Sequence, residues 1–276
     1  SRSGFTHLFG GLGGGELNAG EHEPFFFFFA DLKQAGQMDK LKHEVSKWVE
    51  HHDHPIHRKS YEVMERMLER SCDPAKPGHC LPDRVRLTRY ADTLNPDYFD
   101  LPAFVPNMPE LFPSYLKNRT WQDIFLETAP CCLRAQDRQG MAFGIEHVMP
   151  FFDHRLVEFM FRVPGTLKVR DGVTKILLRE AMKGVVPEST RTRIKKTGWN
   201  APGHLWFSGP GREKLLDLVH SSAFRSRGIY NLARVEELID EHEQIVSQAM
   251  VKDNHMMFLW QLVNLEMWLH LNNGNR

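Results

Sequence analysis

The chain has 276 residues, of which 41% are hydrophobic and 25% are charged, and its 35 basic and 35 acidic side chains cancel. This length suits one large domain or two small ones, and the composition is that of a globular protein. The balanced charge argues against nucleic-acid binding through bulk charge, and apolar runs of about eight residues at most are too short to cross a membrane.

The beginning of the chain is unusual. It opens with Ser1 rather than methionine, and no basic segment followed by an apolar one directs secretion. We therefore interpret the chain as a fragment or a processed product. Four cysteines are too few for a disulfide scaffold, so a reducing cytoplasm is the predicted location.

Strand signal is confined to the first residues. Residues 5–9 predict a strand that runs into a glycine-rich turn. Because one strand cannot pair with itself, we expect its partners to lie in another chain or in sequence that is not part of this one.

Helical periodicity dominates the remainder. Apolar residues recur at helical steps in two early segments: Leu41, Val45, Trp48 and Val49, then Tyr61, Met64, Met67 and Leu68. Five phenylalanines at 25–29 suit a helical turn buried on all sides. Asp153, Thr174 and Asn231 are placed to cap later helices, of which the first ends at Pro164 and the second at Gly184. The last helix, about 254–271, is apolar all round and is expected to be buried. Prolines mark an irregular connection over 72–120.

The glycine-rich segment 10–20 follows the predicted strand. Such a turn lets backbone N–H groups of Gly11, Gly13 and Gly14 approach a phosphate. Glu16 at its end could hold a magnesium ion that bridges phosphates. The alternative is a tight surface turn without a ligand.

Three further segments concentrate charge. Residues 134–153 hold six ionisable side chains between apolar segments, either as an ion-pair network or as part of a site: Arg134, Asp137, Arg138, Glu146, His147 and Asp153. Lys175 at a helix start could reach a polyphosphate, or could be an ordinary solvated lysine. The basic run 191–202, with Lys196, is either a phosphate clamp or a charged loop.

Two clusters contain metal-binding residue types. One lies within 51–57 and the other combines four cysteines with His79. Neither has the spacing of a zinc site, and the histidines of the first better fit a helix end before Pro55. A metal-dependent helical enzyme that uses the 51–57 cluster is a distant third hypothesis.

The order of these motifs resembles the synthetase domain of the asparagine synthetase family, which includes the β-lactam and carbapenam synthetases. The glycine-rich turn 11–20 is similar to the family's Gly-acid-Gly-x-Asp-Glu-Leu-Phe-Gly-Gly. Residues 137–153 match its Asp-Arg-x-x-Met-Ala-x-Gly-Ile-Glu-x-x-x-Pro-Phe-x-Asp, and 175–181 match its Lys-x-x-Leu-Arg-Glu-Ala helix. A lysine-rich turn over 195–202 and a closing tryptophan-containing helix over 259–269 also recur.

The resemblance implies a mainly α chain that is the C-terminal part, over 1–276, of an α/β PP-loop synthetase domain of the adenine-nucleotide α-hydrolase type, with one N-terminal strand completing a parallel sheet. It implies an ATP- and Mg-dependent ligase that adenylates a carboxylate, which ammonia or an amine then attacks with release of AMP and pyrophosphate. Lys175 and Glu146 would be catalytic, and Glu16 would serve the Mg site. Lys175 would also bind pyrophosphate, together with Lys196 and the three loop glycines already named.

The chain departs from the family's pattern at several positions. Leu12 replaces an acidic residue or tyrosine, Gly15 replaces the aspartate before the glutamate, and the upstream Ser-Gly-Gly-x-Asp-Ser signature is absent. Activity is therefore expected to need an upstream segment or subunit that carries the PP-loop. The alternative is an inactive pseudo-synthetase that acts as a binding or scaffold subunit. Which carboxylate and which amine are joined stays open.

Overall fold

The computed structural model describes residues 4–195 and 201–273, which are mainly helical. The α-helices are α1 Pro24–Gln34, α2 Met38–His52, α3 Tyr61–Ser71, α4 Arg84–Leu87, α5 Tyr115–Phe125, α6 Thr128–Met141, α7 His154–Arg162, α8 Ile176–Ala181, α9 Glu188–Arg191, α10 Gly203–Trp206, α11 Pro210–His220, α12 Ser222–Arg227, α13 Leu232–Ser247 and α14 Met256–Asn273. The strands are β1 His7–Phe9, β2 Glu146–Val148, β3 Val169–Arg170 and β4 Val173–Thr174. No helix in the described ranges is long and apolar enough to cross a membrane.

The chain divides into two compact units. The first comprises Ser1–Pro82 and Pro106–Lys196, and the second comprises Asp83–Val105 and Thr197–Arg276. Each unit has its own hydrophobic cluster. The candidate site described below lies in the first unit.

Helix α1 forms the centre of the first unit. Pro24 occupies its first turn, where a missing N–H costs nothing, and the five phenylalanines at 25–29 are all at most 5% exposed. Trp48 from α2 packs edge-on against Phe26 and Phe29, with ring centroids 5.7 and 5.8 Å apart. The predicted burial of this run on all sides is confirmed.

The periodic helices form where the sequence predicts them. Helix α2 ends at His52, before Pro55, and α3 begins after Ser60, whose side chain accepts a hydrogen bond from Val63 N. Asp153 caps α7 and Asn231 caps α13 through their side-chain oxygens, as expected.

The predicted cap at Thr174 is wrong. Thr174 lies in β4, and the residue that precedes α8 is Lys175, in the left-handed conformation with φ 62° and without a side-chain cap. Helix α8 ends at Ala181, so Gly184 follows it instead of ending it directly. A tight hairpin, β3 paired antiparallel with β4, takes the place of the expected helix start.

The expectation that the first strand finds no partner in this chain is also wrong. Strand β1 pairs in parallel with β2, with His7 opposite Glu146 and Phe9 opposite Val148. The partner strand has only three residues and lies inside the charged segment, so it carries too little apolar alternation to be recognised as a strand. Strand β1 is exposed along its whole length, with Phe9 71% exposed, whereas His147 and Val148 of β2 are half-buried.

The second unit packs α11, α13 and α14 around a cluster that includes Leu238, Ile239 and Leu259. Only one side of α14 enters this cluster. Six of its apolar side chains are exposed, which contradicts the expected burial on all sides: Met257, Trp260, Leu265, Met267, Trp268 and Leu271. Within the connection 72–120, the structure forms α4, a 3₁₀ turn at Ala91–Thr93 and the first half of α5.

Candidate functional site

The glycine-rich loop is a compact turn that continues from β1. The N–H of Gly10 donates to Val148 O at 2.9 Å, so the loop starts at the carboxyl end of the two-stranded parallel sheet. Gly13 has φ 93°, and a Cβ atom there would lie 3.0 Å from Phe151 Cβ. Both the backbone conformation and the close approach of this side chain therefore require glycine.

The three predicted phosphate-binding glycines differ in their surroundings. Gly13 and Gly14 are buried; the N–H of Gly13 donates to Glu16 Oε2 at 3.0 Å and that of Gly14 to Gly11 O at 3.2 Å. Gly11 is exposed, and nothing would lie within 4 Å of a Cβ atom on it. Gly11 is thus the loop glycine whose backbone is accessible to a ligand, whereas the other two shape the loop.

The hairpin β3–β4 positions Lys175. Glu44 of α2, 1% exposed, accepts hydrogen bonds from the N–H groups of Asp171 and Gly172, both at 3.0 Å. The hairpin ends at Lys175, whose own N–H donates to Asn18 O in the loop at 3.1 Å. The buried carboxylate of Glu44 therefore fixes the turn of the β3–β4 hairpin, and the hairpin holds Lys175 against the glycine-rich loop.

The end of the Lys175 side chain packs directly against Gly20. A Cβ atom on Gly20 would overlap Lys175 Cε and would lie 3.0 Å from its Nζ. The absent side chain at residue 20 thus makes room for the lysine and brings its ammonium group beside the loop. The structure thus brings Lys175 and the glycine-rich turn together.

A second carboxylate approaches the position of the missing aspartate. Gly15 stands where the family pattern has aspartate, and a Cβ atom on Gly15 would lie 2.9 Å from Glu21 Oε1. Glu16, immediately next in sequence, has one oxygen on the N–H of Gly13 and is half-buried. Glu21 was not among the predicted site residues, although it directly follows Gly20 in the sequence.

Helix α5 adds negative charge near Glu16. Arg119 is paired with Asp123 at 2.6 Å and with both oxygens of Glu127 at 2.9 and 2.6 Å. Burial, and then repulsion from Glu127, Glu23 and Glu16, raises the pKa of Asp123 to about 6 against the opposing effect of Arg119. One guanidinium is therefore shared among more carboxylates than it can neutralise, and the excess negative charge favours cations at this end of the loop.

Glu146 lies elsewhere. It opens β2 opposite His7, at the amino end of the strand pair, whereas the glycine-rich loop leaves from the carboxyl end of β1. Its side chain is 72% exposed, and its Oε2 atom lies 3.4 Å from His7 Nε2. The structure therefore brings Lys175 and Glu16 to one loop and places Glu146 at the far end of the adjoining strand.

The expected ion-pair network in 134–153 does not form among the described residues. Arg134, Asp137 and Arg138 project from α6 into solvent without an ion pair there, and Asp153 pairs with Arg155 outside the segment. These three charges lie on the exposed side of α6, whereas His147 of β2 packs against Gly140 on the buried side of the same helix.

The predicted ligand Lys196 lies outside the described residues. No group of three or more His, Cys, Asp or Glu side chains in the described part of the chain could hold a metal ion. The 51–57 cluster and the cysteines with His79 therefore do not assemble such a group. Glu16 belongs to the loop and Glu21 Oε1 approaches Gly15, so both supply carboxylate oxygens of the kind that Mg²⁺ takes alongside phosphate and water.

Comparison with known proteins places the chain in a family. A model of the family described as asparagine synthase matches residues 1–270. The glutamine-hydrolyzing asparagine synthetase 1 of Bacillus subtilis (strain 168) is 26% identical over 156 residues, which cover 55% of this chain and 23% of that protein. A protein of Mycobacterium bovis named as a glutamine-hydrolyzing asparagine synthetase is 24% identical over 244 residues, or 78% of this chain and 36% of that protein.

A third relative has a different name. The amidase chry2 of Gibberella zeae is 29% identical over 110 residues, which cover 38% of this chain and 16% of the amidase. The chain thus spans between 23% and 36% of the length of the two synthetases. No solved structure matches it. Because the family model covers nearly the whole sequence, this protein belongs to the asparagine synthase family.

Proposed function

We propose that this chain is the C-terminal part of an ATP-dependent ligase of the asparagine synthetase type, which joins a carboxylate to ammonia or an amine. The observation that carries the proposal is the attachment of Lys175, at Asn18 and Gly20, to the glycine-rich loop that also contains Glu16. The Lys175 ammonium can bind the phosphates of a magnesium–polyphosphate group, and the Glu16 carboxylate can bind its magnesium ion. The relatives named as asparagine synthetases support this reaction class.

Each residue of the site has a distinct proposed task. The Lys175 ammonium neutralises the negative charge that develops on the departing pyrophosphate, and Lys196 assists it. Glu16 and Glu21 hold Mg²⁺, and the Gly11 backbone lies open to a phosphate oxygen. ATP supplies the activation of the carboxylate, with AMP and pyrophosphate as products. Glu146 orders the wall of the site or handles a proton, acting from the amino end of β2.

The partner of this chain is proposed to be an upstream segment or subunit that carries the PP-loop. Parallel sheets are normally covered on both faces and rarely stop at two strands. Here β1 and β2 form a two-stranded parallel sheet on which Leu8 and Phe9 are 52% and 71% exposed, and Phe5, just before β1, is 71% exposed. Further strands paired beside these two, with helices packed on the faces of the enlarged sheet, would cover these side chains and complete a nucleotide site at the carboxyl end.

The test has two stages. Intact mass, native and denatured, of the protein purified from its own cells shows whether this chain is retained with a larger polypeptide. That preparation is then assayed for conversion of ATP to AMP with a panel of carboxylates and amines. When variants are purified and assayed in the same way, Lys175→Ala should abolish AMP formation. The control Lys183→Ala, at an exposed lysine of the same unit, should not.

The possible results separate the proposals. Turnover that survives Lys175→Ala would remove the role given to this lysine. A complete assembly that binds ATP and forms no AMP with any pair would favour the alternative, a pseudo-synthetase that acts as a binding subunit. That alternative is motivated by Leu12 and Gly15, although Glu21 lies beside the second of these positions.

A further inference from the structure

Two of the four cysteines face each other across a short antiparallel bridge. Cys72 directly follows α3 in an extended conformation and is bridged to Cys80. The hydrogen bonds on either side are made by neighbours: Asp73 N donates to His79 O at 2.9 Å, and Leu81 N donates to Ser71 O at 2.8 Å. Cys72 and Cys80 are therefore a non-hydrogen-bonded pair, the arrangement in which opposite Cα atoms are closest, at about 4.5 Å.

This geometry suits a disulfide. A disulfide needs Cα atoms roughly 4.4 to 6.8 Å apart with side chains on the same side of the backbone ladder. Residues directly opposite each other in an antiparallel bridge meet both conditions. We propose that Cys72 and Cys80 form an intramolecular disulfide when the protein meets a low-molecular-weight disulfide.

The positions of the four cysteines favour a disulfide between Cys72 and Cys80 over one between Cys131 and Cys132. Cys72 and Cys80 are 5% and 0% exposed and belong to the hydrophobic cluster of the first unit. Cys131 and Cys132 are consecutive residues of α6, the first of them exposed. Consecutive helical residues point in different directions, so a bond between them would distort the helix.

The segment between the two cysteines is held at both ends. Tyr115 Oη donates to Asp73 O at 2.6 Å, and Asn118 Nδ2 donates to Gly78 O at 2.7 Å. These contacts, both to α5, keep the two backbones in register without a covalent link. The disulfide can therefore form without a change in the backbone of this segment.

The reaction balances with a disulfide as the oxidant. One cysteine thiolate attacks a sulfur of the reagent, the sulfur–sulfur bond breaks, and one thiol leaves. The second cysteine then attacks the mixed disulfide, the protein bond forms, and the second reagent thiol leaves with the remaining proton. Two protein thiols are oxidised and one reagent disulfide is reduced to two thiols.

Burial controls the rate of this reaction. It raises the pKa of the Cys80 thiol to about 12 and raises that of Cys72 as well, so little thiolate is present in the folded chain. Folded protein should therefore oxidise slowly, through transient opening of the exposed segment 74–77. Protein that refolds in the presence of the reagent should oxidise fully.

The test is mass spectrometry of the full chain equilibrated with mixtures of reduced and oxidised glutathione. One sample is equilibrated folded and a second is refolded from urea in the same buffer; both are quenched with acid, alkylated and digested with trypsin. Because Pro77 follows Lys76, trypsin leaves 71–84 as one peptide that holds both cysteines. The proposal predicts that this peptide carries no alkyl group and is two hydrogen atoms lighter than its reduced form.

Two variants make the result specific. In oxidised protein the midpoint of thermal unfolding should rise by a few degrees, because the bond restricts the unfolded chain. The rise should disappear in Cys80→Ser and persist in a Cys131→Ser/Cys132→Ser double variant. The proposal is overturned if 71–84 is doubly alkylated in both samples, or if it carries only glutathione adducts or links to a second chain. None of these readouts depends on the proposed ligase activity.

Discussion

A hydrogen bond of 3.1 Å joins the backbone N–H of Lys175 to the carbonyl oxygen of Asn18 in the glycine-rich loop. Lys175 makes this bond from the left-handed conformation, φ 62°, which costs a residue with a side chain about 1 kcal/mol or more. The bond therefore attaches the backbone of the lysine, and not only its flexible side chain, to the candidate phosphate site. Loop and lysine should keep their relative positions whether or not a ligand is bound.

Gly20→Ala should remove activity and leave the fold largely intact. The new Cβ atom overlaps the far end of the Lys175 side chain, which can swing away from the loop, and it lies 3.0 Å from Gly15 Cα, a contact that a shift of a few tenths of an ångström relieves. Displacing the ammonium by an ångström or more should lower kcat/KM of the complete enzyme by about a hundredfold. Steady-state ATP-to-AMP assays, together with thermal unfolding of the same sample, check both parts.

Gly172→Ala is the matched contrast. Its Cβ atom would lie 2.5 Å from the backbone carbon of Lys47, at a residue with φ 66°. Because backbone cannot move aside as a lysine side chain can, this variant should lose stability as well as activity. Equal loss of stability in both variants would contradict the distinction.

Glu44→Gln should loosen the hairpin that carries Lys175. The amide has one oxygen where the carboxylate offers two to Asp171 N and Gly172 N, and its NH₂ group would face a donor. We expect the free energy of unfolding to fall by about 1–3 kcal/mol, measured by urea denaturation. Glu50→Gln, on the exposed part of the same helix, should change it little; similar losses for both would refute the role of Glu44.

Asp31→Ala should destabilise the start of α5. The half-buried carboxylate of Asp31 accepts a hydrogen bond from Ser114 Oγ at 2.6 Å and another from Tyr115 N at 2.7 Å. Its removal leaves a buried N–H without a partner, at a cost of about 2 kcal/mol. Asp31→Asn keeps one acceptor oxygen and should lose less. Urea denaturation gives the free energy of unfolding of both variants. A larger loss for Asp31→Asn than for Asp31→Ala would contradict the role given to this carboxylate.

Asp123 should make stability fall as pH rises from about 4 to about 6. Its pKa is raised to about 6 in the folded chain, whereas an unfolded aspartate titrates near 4. Over that interval the unfolded state gives up the proton and the folded state retains it, so rising pH favours unfolding by up to about 3 kcal/mol. Above pH 6 both states are ionised and the effect levels off.

The measurement is the free energy of unfolding against pH for the wild type and for Asp123→Asn. The asparagine cannot titrate, so the difference between the two proteins should change between pH 4 and 6 and stay constant above. Asp39→Asn, at an exposed carboxylate of α2, serves as the control. Parallel profiles for wild type and Asp123→Asn would show that Asp123 titrates normally.

The sequence predicted the elements whose side chains repeat over many residues. Helices α2, α3, α7 and α13 each have a periodic apolar face, and three of them have a serine, aspartate or asparagine cap that binds the first turn. Strand β2 was missed because three residues cannot display a period. The exposed side of α14 was missed because composition shows what could be buried, not what is available to cover it.

The same limit applies to the candidate site. The loop and Lys175 were identified because contiguous residues carry the pattern. The support of Glu44 for the hairpin links residues that are 127 and 128 apart, and no local pattern reports a contact of that kind. The place of Glu21 beside Gly15 depends on how tightly the loop turns, which only the structure shows.

The contact between Glu21 and the vacant side of Gly15 affects how sequence changes in this loop are judged. A sequence comparison that scores each position separately counts Gly15 as the loss of the family's aspartate and classifies the protein as inactive. The loop doubles back within six residues, so an oxygen from a longer side chain reaches the same neighbourhood from the opposite direction. What selection has to preserve in such a turn is a negative charge at a point in space, and more than one residue number can supply it.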